Sequence, residues 1–202
     1  MAGVVLFGLA ATLSAQNVGL APPRPAGVGV GLIGATYVGT EFGYTRHVDG
    51  GPRAMRTYGF VYNQPLPEGL DFNFNYRDAN ASEAGIGTRL QQFYVGLTGH
   101  RTLGWGKVFL QGNTGWAWAK TGGVQENGFA YELKTGAQFQ LLPQLVLTPY
   151  VSYEAAPRLH THEWNYGVLS NYRFNREWSA TVGAKLDEEH NVSYSVGVNF
   201  HF

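Results

Sequence analysis

The chain has 202 residues, enough for one domain with a short appendage. Charged residues make up 14%, against about 25% in an ordinary soluble domain. The 14 Lys and Arg balance the 14 Asp and Glu, which excludes a basic face for nucleic acid, and the absence of cysteine excludes disulfides, thiolate metal sites and a cysteine nucleophile.

Residues 1–15, MAGVVLFGLAATLSA, form the one long apolar run. It falls short of the roughly 18 residues a membrane-spanning helix needs. Its length suits the apolar part of a secretory signal, with Leu13-Ser14-Ala15 as an imperfect cleavage site and no basic segment ahead of it. A signal peptide is expected over 1–15, a buried first element being the alternative. Residues 16–34 follow as a linker, because Pro22, Pro23 and Pro25 forbid a regular helix or a central strand. Its end is expected to feed the first strand.

From Ala35 onward the hydrophobic period is two. Leu70, Phe72, Phe74 and Tyr76 alternate with Asp71, Asn73, Asn75 and Arg77. Phe129, Tyr131, Leu133, Ala137, Phe139 and Leu141 alternate with Glu132, Lys134, Gly136, Gln138 and Gln140. Val192, Tyr194, Val196, Val198, Phe200 and Phe202 close the chain against Ser193, Ser195, Gly197, Asn199 and His201. The rule predicts about ten strands, near 35–47, 53–64, 70–79, 88–100, 107–120, 128–141, 145–156, 162–174, 178–187 and 191–202. Tight turns are expected at 65–69, 101–106, 142–144 and 175–177. Looser polar connections are expected at 48–52, 79–87, 121–127, 157–161 and 188–190. An even strand number puts both termini at the short-turn end.

Size decides which face points inward. The apolar face carries so many large rings, among them Tyr58, Phe60, Phe72, Phe74, Trp116, Trp118, Phe129, Trp164 and Phe200, that a ring of ten strands cannot enclose them. They must face lipid, and the Gly, Ser, Asn and Thr face must line the lumen. The expected fold over 35–202 is therefore all-β: a closed antiparallel transmembrane up-and-down barrel of about ten strands, with eight the alternative. By parity the lumen polar network comprises Glu41, Asp71, Arg77, Glu132, Lys134, Glu154, Glu163, Arg173 and Lys185. Opposite charges in a narrow lumen should pair, since an isolated buried charge is costly. Trp105, Trp178 and Phe202 fall at short-turn ends and Trp116, Trp118 and Trp164 near the other end, as two aromatic girdles at the membrane interfaces would.

The last eight residues, with Ser195, Gly197, Phe200 and a final Phe202, resemble the carboxy-terminal assembly signal of Gram-negative outer-membrane barrels: polar, any, Gly, any, any, hydrophobic, any, aromatic. The resemblance implies a bacterial outer-membrane location and two sets of partners. These are outer-membrane lipid with lipopolysaccharide, and the barrel-assembly machinery during biogenesis.

No catalytic set is apparent. None of the six histidines has Ser two residues later, as barrel lipid deacylases require, and no Asp-x-Asp or Asp-x-His occurs, as barrel proteases require. His160-Thr161-His162-Glu163 would place two imidazoles on one face if extended, but reads better as a solvated loop cluster than as a metal site. No cofactor or metal is expected. The functional expectation is a non-enzymatic structural or surface-interaction role with a mostly plugged lumen. A narrow porin-like channel is the alternative, and a lipid-modifying or proteolytic barrel enzyme stands behind it. The extracellular ligand is not legible.

Overall fold

The computed structural model describes residues 32–46, 54–83 and 86–202. The expected signal peptide and most of the linker lie outside them. Ten strands account for nearly all the described residues: β1 Tyr37–Arg46, β2 Ala54–Leu66, β3 Leu70–Glu83, β4 Ile86–Leu103, β5 Gly106–Thr121, β6 Val124–Leu142, β7 Leu145–Ala156, β8 Thr161–Arg173, β9 Trp178–Asp187 and β10 Val192–His201. Every neighbouring pair is antiparallel, and β1 pairs β10 from Tyr37↔His201 to Arg46↔Val192, so the sheet closes on itself. Closure removes the free edges that would otherwise leave backbone amides unpaired in lipid.

The end holding Tyr37 and His201 is here the lower end. Its connections are tight: Pro67–Gly69, Gly104-Trp105, Pro143-Gln144 and Phe174–Glu177. At the upper end two expected loops are corrected. Residues 79–87 and 121–127 are largely strand, so β3 to β6 run 14, 18, 16 and 19 residues. The β5–β6 connection is only Gly122-Gly123, with φ 58° and 90°. Two consecutive positive φ values make the tight hairpin turn that matches strand twist, and glycine takes them without strain. The polar residues Gln125, Glu126 and Asn127, which read as loop, are the exposed end of β6.

Parity holds around the barrel, save for one register shift between Gln140 and Leu142 at the lower end of β6, and it inverts the usual order of a soluble protein. Phe60 (41% exposed), Leu97 (49%), Leu133 (53%) and Val196 (53%) face outward, while Asn73, Gln111, Glu132 and Asn165 are essentially inaccessible inside. An outer wall of apolar side chains around a polar interior is stable only where hydrocarbon replaces water.

The interior is layered. A lower apolar cluster joins Leu32, Ile33, Tyr37, Val61, Phe109, Tyr150 and Leu169. An upper one gathers Met55, Leu90, Tyr94 and Leu159 with alanines of β3, β5, β6 and β7. Charged residues fill the level between.

Candidate functional site

The lumen is the first candidate, and its charges are held by cross-strand register. Glu132, Glu154 and Glu163 are consecutive partners across β6, β7 and β8. Three carboxylates side by side repel unless cations interleave. Lys134 Nζ lies 2.7 Å from Glu132 Oε1, Arg77 Nη1 lies 3.6 Å from Glu154 Oε2, and Lys185 Nζ lies 3.9 Å from Glu163 Oε1. Asn113 Nδ2 donates to Glu132 Oε2 at 2.5 Å, and Gln111 links Asn113 to Asn73. Arg77 also lies over the Tyr94 ring and Lys134 over the Tyr150 ring, at 5.8 and 5.4 Å from the centroids. These rings tie the charged level to the apolar clusters above and below it. Glu41 is half-buried, accepts a hydrogen bond from Ser195, and lines a cavity of about 20 Å³ with Gly43, Thr45, Thr57, Gly59, Arg77 and Ser193. That volume suits about one water molecule.

Two expected members of this network face inward as expected but lie apart from the central charges, toward the lower mouth. Asp71 is at the lower mouth, 3.5 Å from His100 Nε2, and accepts the Gly34 N–H at 2.7 Å. Arg173 caps the turn after β8. Its Nε donates to the Asn175 carbonyl at 2.8 Å and its Nη2 to the Arg176 carbonyl. Residues 171–179 are the hairpin end, where several carbonyls converge and a guanidinium's forked donors collect them.

Sequence reasoning missed several lumen residues. Lys107 and Asp187 are buried and His100 part-buried on the inward parity, and parity alone could have added them to the network. Tyr37, Tyr94, Phe109 and Tyr150 put large rings inside, where only small and polar groups were expected. They fit because glycines stand beside them. A Cβ on Gly167 would fall 2.3 Å from Tyr150 Cζ, and one on Gly136 would fall 2.9 Å from Phe109 Cε1. No local pattern marks Leu32-Ile33-Gly34-Ala35, which turns into the lower mouth. Lys107 Nζ donates to the Ile33 carbonyl at 2.7 Å and Asn63 Nδ2 to the Ala35 carbonyl at 2.8 Å. Leu159, from the turn between β7 and β8, dips into the upper mouth in the same way. His160 follows it with φ 54°, so the His160–Glu163 stretch is not extended throughout, and His160 and His162 are both exposed.

The outer wall is the second candidate. At the lower end Trp105 stacks on Phe139 at 5.2 Å, Trp178 meets Phe200 at 5.0 Å, and Phe202 stacks on Phe200 at 6.2 Å. At the upper end Trp164 meets Tyr153 at 5.0 Å, Trp118 meets Phe93 at 5.8 Å, and Trp116 Nε1 donates to Asn127 Oδ1 at 3.3 Å. On β10, Ser195 and Gly197 point inward while Phe200 and the terminal Phe202 belong to the outer face. The Gly197 α-carbon faces Glu41 across the β1–β10 seam, where a Cβ would lie 2.9 Å from the Thr40 carbonyl.

No protein-family model matches the sequence, and no curated protein matches it. Solved structures do. The translocator domain of the autotransporter NalP from Neisseria meningitidis matches with a TM-score of 0.54 at 12% identity, over 83% of this chain and 88% of that one. The beta domain of the Bordetella autotransporter BrkA matches with a TM-score of 0.51 at 10% identity, over 83% and 99%. At this identity the likeness is one of fold, and function has to be argued from the residues. The chain folds as an outer-membrane-type β-barrel, closed, antiparallel and ten-stranded.

Proposed function

We propose that the protein is an integral barrel of a Gram-negative outer membrane, lower end toward the periplasm, with a lumen closed to solutes and a structural or surface-interaction role without catalysis. The observation that carries this reading is the layering of the lumen. Leu32 and Ile33 fill the lower mouth, Leu159 and Tyr94 fill the upper one, and paired charges occupy the level between. Each layer excludes ions for its own reason, by dry packing or by fixed pairs. A hydroxyl–imidazole couple, Ser179 Oγ and His201 Nε2 at 2.9 Å, is buried beneath the lower mouth, away from any membrane or surface substrate. The fold shared with outer-membrane barrels and the aromatic rings at both ends of the wall support the location.

Planar-bilayer recording of the purified full chain tests the reading. Absence of steady unitary currents, with folded barrel present in the same bilayer, is the expected result. Steady current steps would favour a narrow passive channel running through the Glu41 cavity, where open volume lies beside the carboxylate of Glu41 and the guanidinium of Arg77.

A further inference from the structure

We propose that the inner face of β7 to β9, just inside the upper mouth, binds one hard divalent cation of calcium size, held by Glu163, Asp187 and Asn165. The inference goes beyond the closed-lumen reading, and testing it needs no bilayer.

Register gathers five inward side chains into one patch. Ser152, Asn165 and Asp187 are consecutive partners across β7, β8 and β9. Glu154 and Glu163 are partners in the row above, on β7 and β8. Cross-strand partners stand about 5 Å apart and diagonal neighbours about 7–8 Å, so these side chains can reach a common centre. None of the five is more than 5% exposed. Asp187 is the last residue of β9, and Glu188, Glu189 and His190 beyond it are exposed. The apolar cluster at this end is built on β2 to β7 and Leu159. An ion from the outer medium therefore meets the patch on the polar side of the mouth.

The oxygens of the patch are left over by the protein's own hydrogen bonds. Both oxygens of Glu154, both of Glu163, the Ser152 hydroxyl and the Asn165 amide have no hydrogen-bond partner among the described residues. Buried acceptors are rarely left so. Lys185 Nζ is 3.9 Å from Glu163 Oε1 and Arg77 Nη1 is 3.6 Å from Glu154 Oε2, both beyond hydrogen-bond reach, whereas Lys134 meets Glu132 at 2.7 Å. The Glu163 carboxyl also comes within hydrogen-bonding reach of the Asp187 carboxyl, an approach that two bare carboxylates resist.

Charge sets the valence. Glu41, Glu132, Glu154, Glu163 and Asp187 share the charged level with Arg77, Lys134 and Lys185, which leaves two negative charges unmatched among the described residues of that level. Ligand chemistry sets the ion. Carboxylate, amide and hydroxyl oxygens suit calcium, which accepts about six to eight oxygens in an irregular array, and no imidazole or thiol stands among the five to favour a softer metal. Among the described residues no three acidic or histidine side chains converge as ligands. Glu163 and Asp187 would therefore supply the charge, and Asn165 Oδ1, Ser152 Oγ and water the remaining oxygens. Asn191 donates to both Asp187 oxygens, at 2.8 and 2.9 Å, and so fixes that carboxylate as an outer partner fixes a metal ligand.

The test uses the full chain in neutral detergent, stripped with a chelator and dialysed against radioactive calcium. One ion per chain should bind. The melting temperature should rise with calcium and not with equal magnesium, whose small octahedral shell this patch does not fit. Glu163→Gln and Asn165→Ala should each weaken uptake by at least about tenfold. Glu188→Gln/Glu189→Gln at the exposed rim should leave it unchanged. Heat-modifiable migration checks that each variant is closed; should Glu163→Gln not close, Asn165→Ala, which changes no charge, carries the expectation alone. No uptake by the parent, uptake unchanged in Asn165→Ala, or uptake lost in the rim variant would overturn the site. An equal response to magnesium would overturn the assignment to calcium. A protonated-carboxyl infrared band that persists at neutral pH in saturating calcium and vanishes in Glu163→Gln would also overturn it, because protons would then neutralise the excess. Current steps in a bilayer would count against the closed lumen and leave each of these outcomes readable.

Discussion

Lys107 Nζ donates to the carbonyl of Ile33 at 2.7 Å, across 74 residues of chain. The base of β5 thereby holds the segment ahead of β1 inside the barrel, where Ile33 and Leu32 are fully buried. The Gly34 N–H on Asp71 and the Ala35 carbonyl on Asn63 complete the attachment. Three side chains on three strands read the backbone of this segment, so it is locked by position more than by its own sequence.

Lys107→Met removes a buried donor and strands the Ile33 carbonyl. The expected cost is about 1–3 kcal/mol. It should appear as a lower melting temperature together with faster hydrogen exchange at the Gly34 amide. Unchanged exchange at Gly34 would mean that the segment does not depend on this anchor.

Lys134→Met leaves Glu132 buried without the ammonium 2.7 Å away. Loss of one partner of a buried pair costs roughly 3–5 kcal/mol, and the double change Glu132→Gln/Lys134→Met should recover part of it. Arg173→Met should cost less, because that guanidinium serves turn carbonyls near the lower mouth. Melting curves of the four proteins check the order; a Lys134→Met protein that melts like the parent would dissolve the network.

Leu133 is 53% exposed on the outer wall at the middle of β6. Leu133→Arg should destabilise by roughly 2–4 kcal/mol, whereas a charge placed on the exposed upper end of β6, at Gln125, should cost about 0–1. Spin labels along 129–141 should alternate in accessibility to a lipid-soluble quencher. Accessibility of helical period, or water contact at both parities, is incompatible with this wall.

Gly167 gives way to the Tyr150 ring, with a Cβ position 2.3 Å from Tyr150 Cζ. Gly167→Val should cost about 1–3 kcal/mol by overpacking. Combining it with Tyr150→Ala should cost less than the two separate effects added together, since the side chains contend for one space. Strict additivity in a thermal double-mutant cycle would show that they do not.

Phe202 stacks on Phe200, which meets Trp178, at the lower end of the last strand. Removing Phe202, or Phe200→Ser with it, should reduce outer-membrane assembly while secretion continues, read as loss of the heat-modifiable band in the membrane fraction. Assembly equal to the parent at native expression would remove the signal role from this segment.

Alternation along the chain, clearest over 70–77, 129–141 and 192–202, determined the strands, a number near ten and which side chains share the outer face. A strand has only two faces, so one strongly apolar parity leaves no third arrangement. The same parity named Glu132, Lys134, Glu154, Glu163, Arg77 and Lys185 as inward. It could not rank them by height. Arg173 and Asp71 share the inward face yet lie at a mouth, because height depends on the register of strands distant in sequence. The length of β5 and β6 was hidden for a related reason: Gln125 to Asn127 look like loop until Gly122-Gly123 is seen to close a two-residue hairpin. Only the tertiary structure brought Leu32, Ile33 and Leu159 into the lumen and set Gly167 against Tyr150 and Gly136 against Phe109. Whether a barrel is open or filled is a question of volume across its section. Volume is shared among residues from every strand, and no single segment encodes it.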